Sequence, residues 1–156
     1  QGEGGTTFAR RALCPLVSES IGPEMPQQLV TIEGNMGSGK TTIARGVADY
    51  MPDTRFFAAP EPEDNPFWKS FQAKPKENAL AMQNWFLRER LRVYMAALEH
   101  IERTRDSVIL DFSIWSDAIF ATKHHEDGYL TAEQFEEYMA LDRSIAALSL
   151  PPPHLP

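Results

Sequence analysis

Apolar residues fall into short runs and longer stripes along the chain, and the two patterns alternate. Leu29-Val-Thr-Ile32 is a brief run of the kind a buried strand shows, and it opens directly into a glycine-rich turn. Residues 40–50 follow with Ile43, Val47 and Tyr50 on one face of a predicted helix that Pro52 ends. Phe56-Phe-Ala-Ala59 predicts a second, weaker strand, and the prolines at 60, 62, 66 and 75 predict a loop over residues 60–76. In residues 77–103, Leu80, Gln83, Leu87, Arg90, Tyr94, Leu98 and Ile101 recur three or four apart, the longest helical pattern in the chain. Ser107-Val-Ile-Leu110 predicts a third strand that ends at Asp111. Residues 116–126 predict a helix stopped by Gly128. Thr131 and Gln134 stand at capping-box spacing, and the helix they open carries Phe135, Tyr138, Leu141, Ile145 and Leu148 before prolines end it.

The resulting order, β-α-β-α-β-α-α, implies an α/β protein with a parallel sheet and helices on both of its faces. At 156 residues there is room for one ordinary domain. Residues 1–28 lack apolar periodicity and read as a flexible leader, so the domain is assigned to residues 29–156. Arg10 and Arg11 with one early acid, Glu3, also fit the remnant of a transit peptide. A chain that starts with Gln1 was processed or is a piece of something longer, and a truncated domain is the expectation.

Charge narrows the functions. Lys and Arg number 15 against 22 Asp and Glu, a net charge of −7. Such a chain gains nothing from nonspecific attraction to nucleic acid or anionic lipid, so neither is an expected partner. No apolar run approaches the roughly 20 residues of a membrane helix. The single cysteine, Cys14, forms no internal disulfide, which permits a reducing compartment.

An acidic protein that binds phosphate needs a local device, and the glycine-rich turn supplies one. Gly34, Asn35, Met36, Gly37, Ser38, Gly39, Lys40 and Thr41 fit G-x-x-x-x-G-K-[ST] at every fixed position, between a strand and a helix. Glycines let successive backbone N–H groups aim into one concavity, and the helix N-terminus adds a favourable field for an anion. Lys40 brings a mobile charge for the β- and γ-phosphates, and Thr41, followed by Thr42, brings a hydroxyl for Mg2+. The pattern points to ATP with Mg2+ and is silent on the reaction. Asp111, at a strand end, is where a second acid reaches Mg2+ in such proteins, or else a turn-capping acid.

Further segments stand in order: Glu61-Pro62, Asn65-Pro-Phe-Trp68, Phe71-Gln-Ala-Lys-Pro75, Ala81-Met-Gln83-Asn-Trp-Phe-Leu-Arg-Glu-Arg90 and Asp111-Phe-Ser-Ile-Trp-Ser-Asp117. With the loop, they make residues 29–156 resemble the deoxynucleoside kinases, P-loop proteins of three-layer α/β/α architecture that include the deoxycytidine, deoxyguanosine and mitochondrial thymidine kinases. The resemblance implies an ATP-dependent deoxynucleoside 5′-kinase. Glu61 matches the acid that takes the 5′-hydroxyl proton, and Gln83 the amide that pairs with the base. Arg90 and Asp117 match the pair that borders the base, though an ordinary ion pair is an equal reading. Gln72 stands where the family has a sugar-contacting Tyr, and Phe112 where it has a phosphate-contacting Arg.

The family's arginine-bearing lid and adenine-clasping segment would follow beyond the match. The resemblance also implies a homodimer or, if catalysis is lost, a kinase-like subunit of a larger assembly such as respiratory complex I. Either a cytoplasmic or a mitochondrial site is compatible with it. A nucleoside monophosphate kinase is disfavoured by Glu61-Pro62 and Gln83. His124, His125, Glu126 and Asp127 read as a solvated helix end, because neighbours on a helix diverge by about 100°. Trp68, Trp85 and Trp115 read as core or pocket wall.

Overall fold

A computed structural model describes residues 27–35 and 37–153. Cys14, nearly all of the leader, and Met36 of the glycine loop lie outside the described residues. Three strands, β1 (Leu29–Thr31), β2 (Thr54–Phe57) and β3 (Ser107–Leu110), form a parallel sheet in the order β1-β3-β2. In register, Val30 sits beside Ile109, and Phe56 flanks it from the other side. β3 is therefore the central strand, and Val108, Ile109 and Leu110 are buried on both faces, as a parallel sheet covered twice requires.

Strand alternation sorts the core into two layers. Ile109, Val30, Ile32 and Phe56 pack under α1 (Lys40–Tyr50), which offers Ala44 and Ala48. Leu29, Val108 and Leu110 face the other side, where α3 (Pro75–Thr104), α4 (Asp117–Glu126) and α5 (Ala132–Ala146) contribute Leu87, Tyr94, Ala121 and Tyr138. The three-layer α/β/α reading holds.

The structure corrects several local expectations. The buried stripe of α1 is Ala44 and Ala48, whereas the expected face of Ile43, Val47 and Tyr50 is 56%, 37% and 90% exposed. Small side chains let the helix backbone lie close on the sheet, and that proximity outweighed the larger apolar residues one position away. β2 begins at Thr54, two residues earlier than the aromatic pair suggested. Residues 60–76 are not simply loop: a short 3-10 turn spans Pro62–Asp64 and α2 spans Trp68–Ala73. The prolines misled because they stand before these elements or open them. Pro75 occupies the first turn of α3, where its missing N–H costs nothing. Leu148 on the α5 pattern is exposed.

The other elements fall where the pattern places them. The capping box of α5 is formed in both directions, with Gln134 N donating to Thr131 Oγ1 at 3.2 Å and Thr131 N to Gln134 Oε1 at 3.0 Å. No helix among the described residues is long and apolar enough to cross a membrane.

Candidate active site

The glycine loop leaves β1 and turns into α1. Gly37 and Gly39 have φ of 76° and 85°, a left-handed region that side chains disfavour. A Cβ at either would meet nothing within 4 Å, so the demand for glycine there is conformational and the space above is open. Gly39 caps α1 without any side-chain bond, and the first turn of the helix holds no acid. Its leading N–H groups, which lack helical partners, are thus free to meet an anion. Lys40 folds back over the loop, donating from Nζ to the Asn35 carbonyl at 2.7 Å.

Asp111 joins three segments at the C-terminal end of the sheet. Thr41 Oγ1 donates to its Oδ2 at 2.6 Å, and the Ala59 N–H to its Oδ1 at 2.5 Å. The first bond ties the α1 N-terminus to β3. The second fixes the chain leaving β2, two residues before Glu61. A hydroxyl beside a carboxylate is the hard-oxygen donor set that suits Mg2+, so the residues fit the metal the loop implies. Glu61 itself is exposed, in extended backbone at the start of the 3-10 turn.

A second group lies along α3 and α4. Arg90 forms an ion pair with Asp117, which is fully buried in the first turn of α4. The guanidinium sits over the Phe86 and Phe120 rings, 5.6 and 5.7 Å from their centroids. Burial lowers the Arg90 pKa from its ordinary value, while Tyr138 and Asp111 pull it up. Arg90 Nε and Asp117 Oδ2 are buried with no hydrogen-bond partner among the described residues.

Gln83, one helical stripe from Arg90, is 3% exposed, and its Nε2 lies 2.8 Å from His124 Nδ1. His124 is therefore not part of a solvated helix end. Its ring is half-buried against Phe71 and Tyr129, at 5.2 and 5.8 Å between centroids. His125 turns elsewhere, stacking on Phe135 with its Nδ1 at the Leu130 carbonyl. The two imidazoles diverge, as helical spacing predicts.

Gln72 and Thr42 are exposed, and among the described residues neither Gln72 nor Glu61 makes a side-chain hydrogen bond or ion pair. The structure thus joins Thr41 to Asp111 and Arg90 to Asp117, and leaves Glu61 and Gln72 facing solvent. Two further residues had no assigned role in the sequence. His124 is one. Asn65 is the other: its Nδ2 donates to the Met82 carbonyl at 3.1 Å and its Oδ1 accepts from Phe67 N at 2.9 Å, pinning the Glu61 loop to α3. An Asn directly before a proline was the available signal in the sequence. A cavity of about 600 Å³ between β2 and α3, lined by Arg55, Phe57, His100 and Arg103 among others, contains none of the site residues.

The His124 environment carries a pH signature. Burial lowers its pKa below 6.5, with Asp127 opposing and Lys123 assisting. The folded chain then takes up this proton at lower pH than the unfolded chain. Stability tied to His124 is fully present above pH 6.5 and is lost as pH falls from there through the folded value. Thermal melts are expected to show this acid-side loss, and His124→Phe to flatten it. Equal slopes in parent and variant would refute the assignment.

A loop of this geometry between a strand and a helix, with an acid at the neighbouring strand end, defines a P-loop type α/β protein. The deoxynucleoside kinase family description matches residues 30–155, and the chain belongs to that family. It is 32% identical over 125 residues to a deoxyguanosine kinase of Dictyostelium discoideum, covering 80% of this chain and 43% of the relative. It is 28% identical over 144 residues to the bovine mitochondrial NADH dehydrogenase [ubiquinone] 1 alpha subcomplex subunit 10, covering 80% and 42%. Among solved structures, a deoxyadenosine kinase from M. mycoides, bound to the products dCMP and a flexible dCDP, superposes with a TM-score of 0.56 at 20% identity. That match covers 72% of this chain and 55% of the other. The chain spans less than half the length of these two curated relatives.

Proposed function

We propose that the whole protein transfers the γ-phosphoryl group of ATP to the 5′-hydroxyl of a deoxynucleoside. The observation that carries this reading is the Asp111 junction, which sets a metal-suited oxygen pair beneath the loop and fixes the backbone that leads to Glu61. Mg2+-ATP, when bound, supplies the phosphoryl group and positive charge on its oxygens. The N–H groups of residues 37–41 and the Lys40 ammonium bind the phosphates, with Gly34, Asn35, Met36 and Thr42 completing the loop. Thr41 and Asp111 would hold the Mg2+. Glu61 accepts the 5′-hydroxyl proton as that oxygen bonds to phosphorus and the bond to the β-phosphate oxygen breaks, giving ADP and a 5′-monophosphate. Gln83, Arg90 and Asp117 receive the base, where a ligand would satisfy the unpartnered Arg90 Nε and Asp117 Oδ2. Gln72, on α2, stands where the family has its sugar-contacting Tyr and would meet the sugar.

Lys40→Ala tests the phosphate half. The side chain is not in the core, so the fold is expected to keep its melting temperature. A charge-assisted bond is worth about 1.5–3 kcal/mol, so affinity for Mg2+-ATP is expected to drop roughly 10- to 150-fold in calorimetry. Unchanged affinity would remove the assigned phosphate site.

One observation favours a second reading, a kinase-like subunit without catalysis. Phe112 follows Asp111 where the resemblance calls for arginine, and it is packed into the main core. The likeness to the complex I subunit gives that reading a precedent.

A further inference from the structure

We propose that His124 sets the base preference of the nucleoside site by fixing which way the Gln83 amide faces. This rests on the kinase reading, in which Gln83 meets the base. An amide nitrogen donates and does not accept, so in the 2.8 Å contact Gln83 Nε2 is the donor and His124 Nδ1 the acceptor. In this arrangement of the amide the ring is the tautomer that carries its proton on its own Nε2. With Nε2 of Gln83 held at His124, Oε1 and at most one N–H remain for a ligand.

Turning the amide over would set Oε1 against the Nδ1 lone pair. To relieve that clash, His124 must move its proton to Nδ1 or take up a second one. Packing opposes any escape by rotation of the ring. Phe71 of α2 and Tyr129 of the turn after α4 flank the imidazole, and Gln83 is almost wholly buried.

The direction of an amide matters because bases differ in its mirror sense. Adenine and cytosine present an exocyclic N–H beside a ring nitrogen acceptor. Guanine and thymine present a carbonyl oxygen beside a ring N–H. Donor and acceptor are exchanged between the two classes, so a base held in one place needs opposite amide orientations for the two. A site whose amide is pinned favours one class. A site whose amide turns freely accepts both. His124 is a positioning residue here, acting through Gln83.

The test compares two variants. His124→Phe keeps a ring between Phe71 and Tyr129 and removes the acceptor; His124→Leu serves the same purpose should the Phe variant fail to fold. His124→Asp lacks the ring and offers only acceptors, which hold Gln83 Nε2 in the original sense. Dissociation constants are measured for deoxyadenosine against deoxyguanosine and for deoxycytidine against thymidine. The parent is expected to prefer one class by about 5- to 150-fold, the range that one buried unpaired hydrogen bond represents. His124→Phe is expected to lose most of that ratio and His124→Asp to retain it.

A role in packing alone would weaken all four nucleosides together and leave the ratios intact, which would overturn the proposal. So would a parent without preference, or an Asp variant that relaxes as the Phe variant does. Those outcomes leave the kinase reading standing. A parent that binds none of the four nucleosides removes that reading and the proposal with it.

Discussion

Asp117→Ala is expected to cost the folded state about 3–5 kcal/mol, among the largest effects of any single substitution in this chain. Asp117 is fully buried, and its partner Arg90 keeps only 16% of its side chain exposed. The wild-type pair is not itself strongly stabilising, because both charges were desolvated to make it. Removing one partner is different: the guanidinium stays buried between Phe86 and Phe120 without its counter-charge. A fall in Tm of roughly 6–20 °C corresponds to that cost. The double variant Arg90→Met with Asp117→Leu removes both charges and is expected to recover most of the loss. A double variant no more stable than Asp117→Ala would mean that packing, not the orphaned charge, set the penalty.

Phe112→Arg is expected to lower stability by a comparable 3–5 kcal/mol or so, and not to restore a missing catalytic charge. Phe112 is 5% exposed and lies in the core cluster with Leu110, Ile114 and Leu87. A guanidinium introduced there starts among apolar side chains, and the two buried acids nearby in sequence are already engaged, Asp117 with Arg90 and Asp111 with Thr41 and the Ala59 N–H. Denaturant unfolding reads the effect directly. A Phe112→Arg variant of parental stability would show that position 112 has a ready path to solvent and that the aromatic is incidental.

Residues 29–50 and 107–146 were legible because short-range signals agree there. A β-branched run, a glycine loop and a capping box each specify one local structure, and a parallel sheet follows once strands and helices alternate, whereas the order β1-β3-β2 does not. The long helix was legible to within two residues at each end because its stripe, Leu80 to Ile101, runs for about six turns. What escaped was decided by contacts distant in sequence. The face that α1 buries depends on how closely the sheet approaches, which favours Ala44 and Ala48 over Ile43. α2 was hidden by prolines that bracket it. His124 looked like a surface residue because nothing near it in sequence points to Gln83, 41 positions earlier. The phosphate-loop half of the site was a local motif and could be read. The nucleoside half is assembled from α3 and α4, and its pairings had to be seen.

The most direct measurement is transfer of labelled γ-phosphate from Mg2+-ATP to deoxynucleosides by the whole protein, with Glu61→Gln beside it. A labelled deoxynucleoside 5′-monophosphate is expected from the parent. A rate lower by about 10²- to 10⁴-fold is expected in Glu61→Gln, the usual contribution of a positioned base, with nucleotide affinity unchanged. A parent that binds ATP and deoxynucleoside but transfers nothing, or a Glu61→Gln variant that turns over at the parental rate, would contradict the kinase reading.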